Sequence, residues 1–131
     1  MNKADIISKL TANNYSFEDK GDIVIVKLTR WYFLKLYFEN DIIVKNLDTV
    51  KQLNLWTNGK SLKTVIKINL IFFIILILPF TLWCIFNPSF YSNGGKFFII
   101  IIYALVLNEL LVFLFYYKCL KKIKKLLKLN E

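Results

Sequence analysis

The order of residues predicts a membrane α-helical hairpin, two transmembrane helices, joined to a small N-terminal cytoplasmic α+β domain of one helix and an antiparallel β-meander. Three observations lead there. The 131 residues are 56% hydrophobic and 17% aromatic, more apolar than a soluble domain of this length normally is. Two apolar runs stand close together, "INLIFFIILILPFTLWCIF" (68–86) and "FFIIIIYALVLNELLVFLFYY" (97–117), and between their outer limits only Lys96 and Glu109 are charged. Ahead of them, short alternating segments are separated by turn residues. The expected organisation is a cytoplasmic domain over residues 1–60, a hairpin over 61–117 and a basic amphipathic tail over 118–131.

In the domain, "ADIISKLTANN" puts Ile6, Ile7 and Leu10 on one face of a short helix that should end at Asn13 and Asn14. "YSFED", "DIVIVKLT", "WYFLKLYFE" and "DIIVKN" follow, divided by Lys20-Gly21, by Thr29-Arg30 and by Asn40. Their alternation and β-branched or aromatic content predict four strands of a meander. Asn46 or Asp48 is then expected to cap a helix over 49–56 that Asn58-Gly59 ends, with Trp56 as an interfacial anchor.

Each apolar run reaches about 30 Å as a helix, enough to cross a hydrocarbon core. "NPSFYSNGGK" between them has the chemistry of a turn joining antiparallel helices. Lys60, Lys63 and Lys67 precede the first run and six lysines follow the second, whereas the connection has only Lys96. The positive-inside rule then puts both termini in the cytoplasm, in the inner membrane if the source is bacterial. "MNKADIISKL" lacks the early apolar segment of a signal peptide, consistent with that topology. Cys84 and Cys119 fall toward opposite faces of such a hairpin and cannot bridge within the chain.

Glu109 is the informative residue of the second run. An ionisable group at bilayer depth costs roughly 2.5 to 3.5 kcal/mol on insertion scales, so it normally faces protein or water. With Asn108 beside it and Ala104 one turn back, it defines a small, polar stripe of the kind that packs helices in lipid. Setting Phe86 level with Phe98 puts Glu109 near mid-depth opposite Ile75, whose carbonyl loses its helical donor because Pro79 has no N–H. Asn69 lies about 9 Å further along the first run on that register. Ala104, Asn108, Glu109, Pro79 and Asn69 are therefore the candidate oligomerisation or pore residues. A neutral Glu109 would act as glue between helices or copies, a charged one would line an ionic path, and a partner membrane protein could supply Lys, Arg or Asn to it.

The tail, "YYKCLKKIKKLLKLNE", carries Leu120, Ile123 and Leu126 or Leu127 at three- and four-residue spacing among lysines, and is expected either to lie on anionic lipid through Lys118, Lys121, Lys122, Lys124, Lys125 and Lys128 or to be a solvated stop-transfer segment. On the third strand, Trp31, Phe33, Lys35 and Tyr37 alternate with Tyr32, Leu34, Leu36 and Phe38. The second set should pack under the helix, leaving Trp31, Phe33 and Tyr37 as a candidate partner surface.

Catalytic chemistry is thin. There is no histidine, no Gly-rich phosphate loop and no spacing suited to zinc or calcium, so no catalytic, cofactor or metal residue is expected. Residues 1–60 hold nine basic and seven acidic residues and the remainder nine and two, so positive charge belongs to the membrane half and nucleic acid is an unlikely partner. These features favour a small membrane protein, not an enzyme, acting as a homo-oligomerising interaction or regulatory subunit whose domain binds a partner or ligand. The alternative is an oligomeric pore-forming or membrane-permeabilising effector.

Overall fold

Asn2 starts helix α1 (Lys3–Ala12) with a reciprocal cap: its side chain accepts from the Asp5 N–H at 2.8 Å, and the Asp5 carboxylate accepts from the Asn2 N–H at 3.3 Å. Asn13 closes the helix, and Asn14, at φ +57°, turns the chain away as the paired asparagines predict. Strands β1 (Ser16–Asp19), β2 (Ile23–Thr29), β3 (Tyr32–Glu39) and β4 (Ile42–Val50) then form one antiparallel sheet in the order β1-β2-β3-β4. The tight β3–β4 connection has positive φ at both Asn40 and Asp41, the conformation that a twisted two-residue hairpin requires. Helices α2 (Leu62–Phe72), α3 (Leu78–Ile85), α4 (Pro88–Phe90) and α5 (Lys96–Leu126) complete the chain. The structure describes residues 1–51 and 55–129 as a computed structural model.

β4 corrects the expected helix over 49–56. The strand continues through Asp48 and Thr49 to Val50, where Tyr32 pairs across from it. Residues 52–54 of that expected helix lie outside the described residues, and Leu55 to Gly59 form turns. β-Branched Thr49 and Val50 continue the ladder on β3, and eight paired residues outweigh a local capping signal.

Two compact units result, Met1–Val65 with Phe115–Glu131, and Ile66–Leu114. In the first, the inner sheet face brings together Val24, Val26, Leu34, Leu36 and Phe38, and α1 adds Ile6 and Leu10. Ile123 and Leu127 from the C-terminal end of α5 and the turn after it complete this core, both essentially inaccessible to solvent. Ile123 and Leu127 of the tail's apolar stripe are thus packed in the core of the sheet, with Leu120 against it. A four-stranded sheet needs cover over its whole apolar face, and a ten-residue α1 supplies only part of it.

That packing also redistributes charge. With residues 115–131 included, the first unit holds sixteen basic and eight acidic residues, a formal +8, against +1 for the second. The folded domain is therefore basic, and the premise used against nucleic acid does not hold.

The second unit is a helical hairpin. Helical chain over Leu62–Ile85 and Pro88–Leu126 is long and apolar enough to cross a membrane, and little of each most apolar window is buried. Phe73–Ile77 is a π-helical turn in which the Leu78 N–H donates to the Phe73 carbonyl, widening the helix just ahead of Pro79. At the reversal, Gly94 takes φ +101°, and a Cβ on Gly95 would lie 2.6 Å from the Phe90 carbonyl oxygen, so close approach there requires glycine.

Candidate functional site

Aromatic contacts set the register of the hairpin. Trp83 meets Phe90 at 5.6 Å, Phe80 meets Phe98 edge-on at 6.0 Å and Phe73 meets Tyr103 edge-on at 5.8 Å between ring centroids. One further step down, Asn69 Nδ2 donates to Glu109 Oε2 at 3.4 Å. The facing pairs are displaced by six residues from the expected register, so Glu109 stands against Asn69 and not against the Ile75 carbonyl. The cause is the reversal: Pro88 to Gly95, expected as a turn, is largely helical and folds back onto Trp83, which moves the apex toward Ser89.

The shift changes the chemistry offered to Glu109. Asn69 lies at the start of the first apolar run, two residues after Lys67, so Glu109 faces the lysine-bearing end of that run and not its middle. Its side-chain hydrogen bond to Asn69 is long. Ala104, Asn108 and Glu109 are all exposed on α5, while Asn69 is half-buried. Of the five expected site residues, the fold joins Asn69 to Glu109, keeps Asn108 and Ala104 on the exposed surface, and leaves Pro79 exposed after the π-helical turn.

In the first unit, a polar junction was only half legible. Asp48, on the inner side of β4, accepts from the Tyr32 hydroxyl at 2.9 Å and from the Leu62 N–H, the first of α2, at 2.8 Å. The sequence marks Asp48 as a helix cap but not which helix it caps. Tyr32 is fully buried, and the Tyr116 ring stacks on it at 5.0 Å with an interplanar angle of 8°. Burial first, and then the Asp48 carboxylate and its hydrogen bond, push the Tyr32 phenol far above its ordinary range. Burial also raises Tyr15, whereas Lys3, bonded to Asp19 at 2.7 Å, lowers the Asp19 carboxyl.

The outer sheet face carries the other expected surface. Phe33 and Tyr37 lie there half-buried with Lys35, whereas Trp31 stands in the β2–β3 turn, 38% exposed, with the Arg30 guanidinium 5.0 Å from its ring. Across the registers, Lys27, Lys35 and Lys45 form a diagonal over β2, β3 and β4. Of the tail lysines, Lys118, Lys121, Lys122, Lys125 and Lys128 are exposed and Lys124 is half-buried. Among the described residues, no three cysteine, aspartate or glutamate side chains converge as metal ligands. Neither protein-family models, curated proteins nor solved structures match this chain.

Proposed function

We propose that the chain is an integral membrane protein with both termini cytoplasmic, in which the Asn69, Asn108 and Glu109 patch joins identical copies and the basic α+β domain serves as a non-enzymatic interaction or regulatory module. One observation carries the proposal. Asn108 and Glu109 are exposed on an otherwise apolar helix surface, and the side-chain bond from Glu109 to Asn69 is 3.4 Å long. In hydrocarbon, such groups are stabilised by side chains or backbone from a neighbouring helix, and Ala104 one turn away permits close approach.

Mass measurement of the solubilised or nanodisc-embedded assembly tests this. Glu109→Gln keeps a polar side chain of similar size and should retain the oligomer, whereas Glu109→Leu should weaken it by about 0.6 to 2 kcal/mol. Asn69→Leu should weaken it too, and the Asn69→Leu/Glu109→Leu double variant should lose less than the sum of the two. If Glu109→Gln leaves the oligomer intact but abolishes ion flux through reconstituted protein, the pore-forming alternative replaces the adhesive role.

A further inference from the structure

The sheet of the first unit is electrically polarised along its strands. At one end, the β1–β2 and β3–β4 turns gather Asp19, Asp22, Glu39 and Asp41 with Lys20, and Lys3 of α1 pairs with Asp19 at 2.7 Å, so acidic groups outnumber basic ones there. At the other, the Lys51 N–H donates to the Trp31 carbonyl at 2.7 Å, and Val50 exchanges bonds with Gly59 and Lys60, drawing the β2–β3 turn and the 55–60 segment together. That end presents Arg30, Lys51, Lys60 and Lys63, all exposed, with no acidic residue between positions 49 and 65. The same end exposes large apolar groups: Leu55 is 94% exposed, Trp56 76% and Trp31 38%. In sequence these residues are scattered over 30–63; only the strand pairing makes them one surface.

We infer that this end of the domain is a docking surface for anionic lipid headgroups, with Leu55 and Trp56 entering the interfacial layer and Arg30, Lys51, Lys60 and Lys63 meeting the phosphates. Charge complementarity selects the occupant, because bulky apolar side chains ringed by cations match an anionic bilayer surface and suit neither bulk water nor a neutral one. Tryptophan is favoured at that boundary for its amphipathic ring. Continuity supports the same occupant: α2 begins at this end, where Asp48 holds the Leu62 N–H, so the chain leaves the surface in a helix long and apolar enough to enter a membrane. The inference rests on the membrane insertion proposed above and adds a second, peripheral contact with lipid. The acidic end is thereby turned away from the headgroups, since like charge would be repelled there.

Tryptophan quenching separates the two claims, because the three tryptophans are Trp31, Trp56 and Trp83. Full-length variants retaining one tryptophan each, the others changed to Phe, are reconstituted into vesicles of phosphatidylglycerol or phosphatidylcholine containing brominated phospholipid. Quenched Trp83 reports hairpin insertion. Quenching of Trp56 and Trp31 in anionic vesicles, much reduced in neutral ones, is the expected result. Each of Arg30→Gln, Lys51→Gln, Lys60→Gln and Lys63→Gln should then lower the docked-to-undocked ratio roughly fivefold, less at high salt. Quenched Trp83 with unquenched Trp31 and Trp56 overturns the docking surface and leaves insertion standing, and unquenched Trp83 overturns both. Quenching equal in the two lipids overturns the inference, because the cations then select nothing. A response only to added single-stranded RNA, or only to the protein-to-lipid ratio, assigns the surface to nucleic acid or to a second copy and overturns the inference.

Discussion

Asp48 ties strand β4 to the start of α2 and to the buried ring of Tyr32. Its carboxylate accepts two hydrogen bonds, from a backbone N–H at a helix start and from a buried phenol, and the helix dipole favours its charge there. Tyr32 reports the state of this junction. Its ionisation lies above the ordinary tyrosine range of about 10 in the folded chain, so above that pH the unfolded chain loses a proton that the folded chain keeps. Stability therefore falls as pH rises past about 10, and Tyr15 adds in the same sense. Tyr32→Phe should flatten that alkaline decline in denaturation curves. At neutral pH the same variant should cost about 1.5 to 3 kcal/mol through the lost bond to a carboxylate. An unchanged alkaline slope would mean that Tyr32 does not carry it.

At the scale of elements, the end of α5 is where expectation and fold part most clearly. Leu120, Ile123 and Leu127 have the spacing of a lipid-facing stripe, and Ile123 and Leu127 are buried with β2, β3 and α1. The lysines between them remain on the water side. Ile123→Ala and Leu127→Ala should each destabilise the domain by about 2 to 5 kcal/mol, the cost of a large-to-small change in a filled core. Lys121→Gln and Lys122→Gln should stay within about 0.5 kcal/mol. Amide hydrogen exchange at Leu34 and Leu36 provides the measurement: faster exchange in the alanine variants places the tail in the core, whereas unchanged protection would return it to the lipid surface.

For the whole molecule, the charge divides into a basic unit of +8 and a nearly neutral apolar unit of +1. The proposed topology, with both termini cytoplasmic, rests on Lys60, Lys63, Lys67, Lys118, Lys121 and Lys122 near the ends of the apolar runs, since basic residues there resist translocation. Topology can be checked in intact cells on a background of Cys84→Ala and Cys119→Ser. Ser92→Cys should react with an impermeant maleimide from outside, and Ser8→Cys only after permeabilisation. The reverse pattern would invert the sidedness, and with it the leaflet assigned to the headgroup surface.

The meander, α1 and the two apolar helices were legible from residue order, because strand alternation, turn residues and apolar run length are local properties that adjacent residues express together. Asn13, Asn14 and Asn40 marked their breaks for the same reason. The partners were not legible. Glu109 meets Asn69 instead of Ile75, and Phe98 meets Phe80 instead of Phe86, because a few helical residues at the reversal shift these facing pairs by six. Strand β4 extends past the local capping signal because β3 offers it a full ladder. The tail is drawn from the expected lipid to the sheet because an uncovered apolar sheet face lies within its reach. Residue order determined α1, the four-stranded meander and the two apolar helices; where β4 ends, how the reversal folds and which surfaces meet were decided by burial and hydrogen bonding between segments far apart in the chain, a competition that no local window contains.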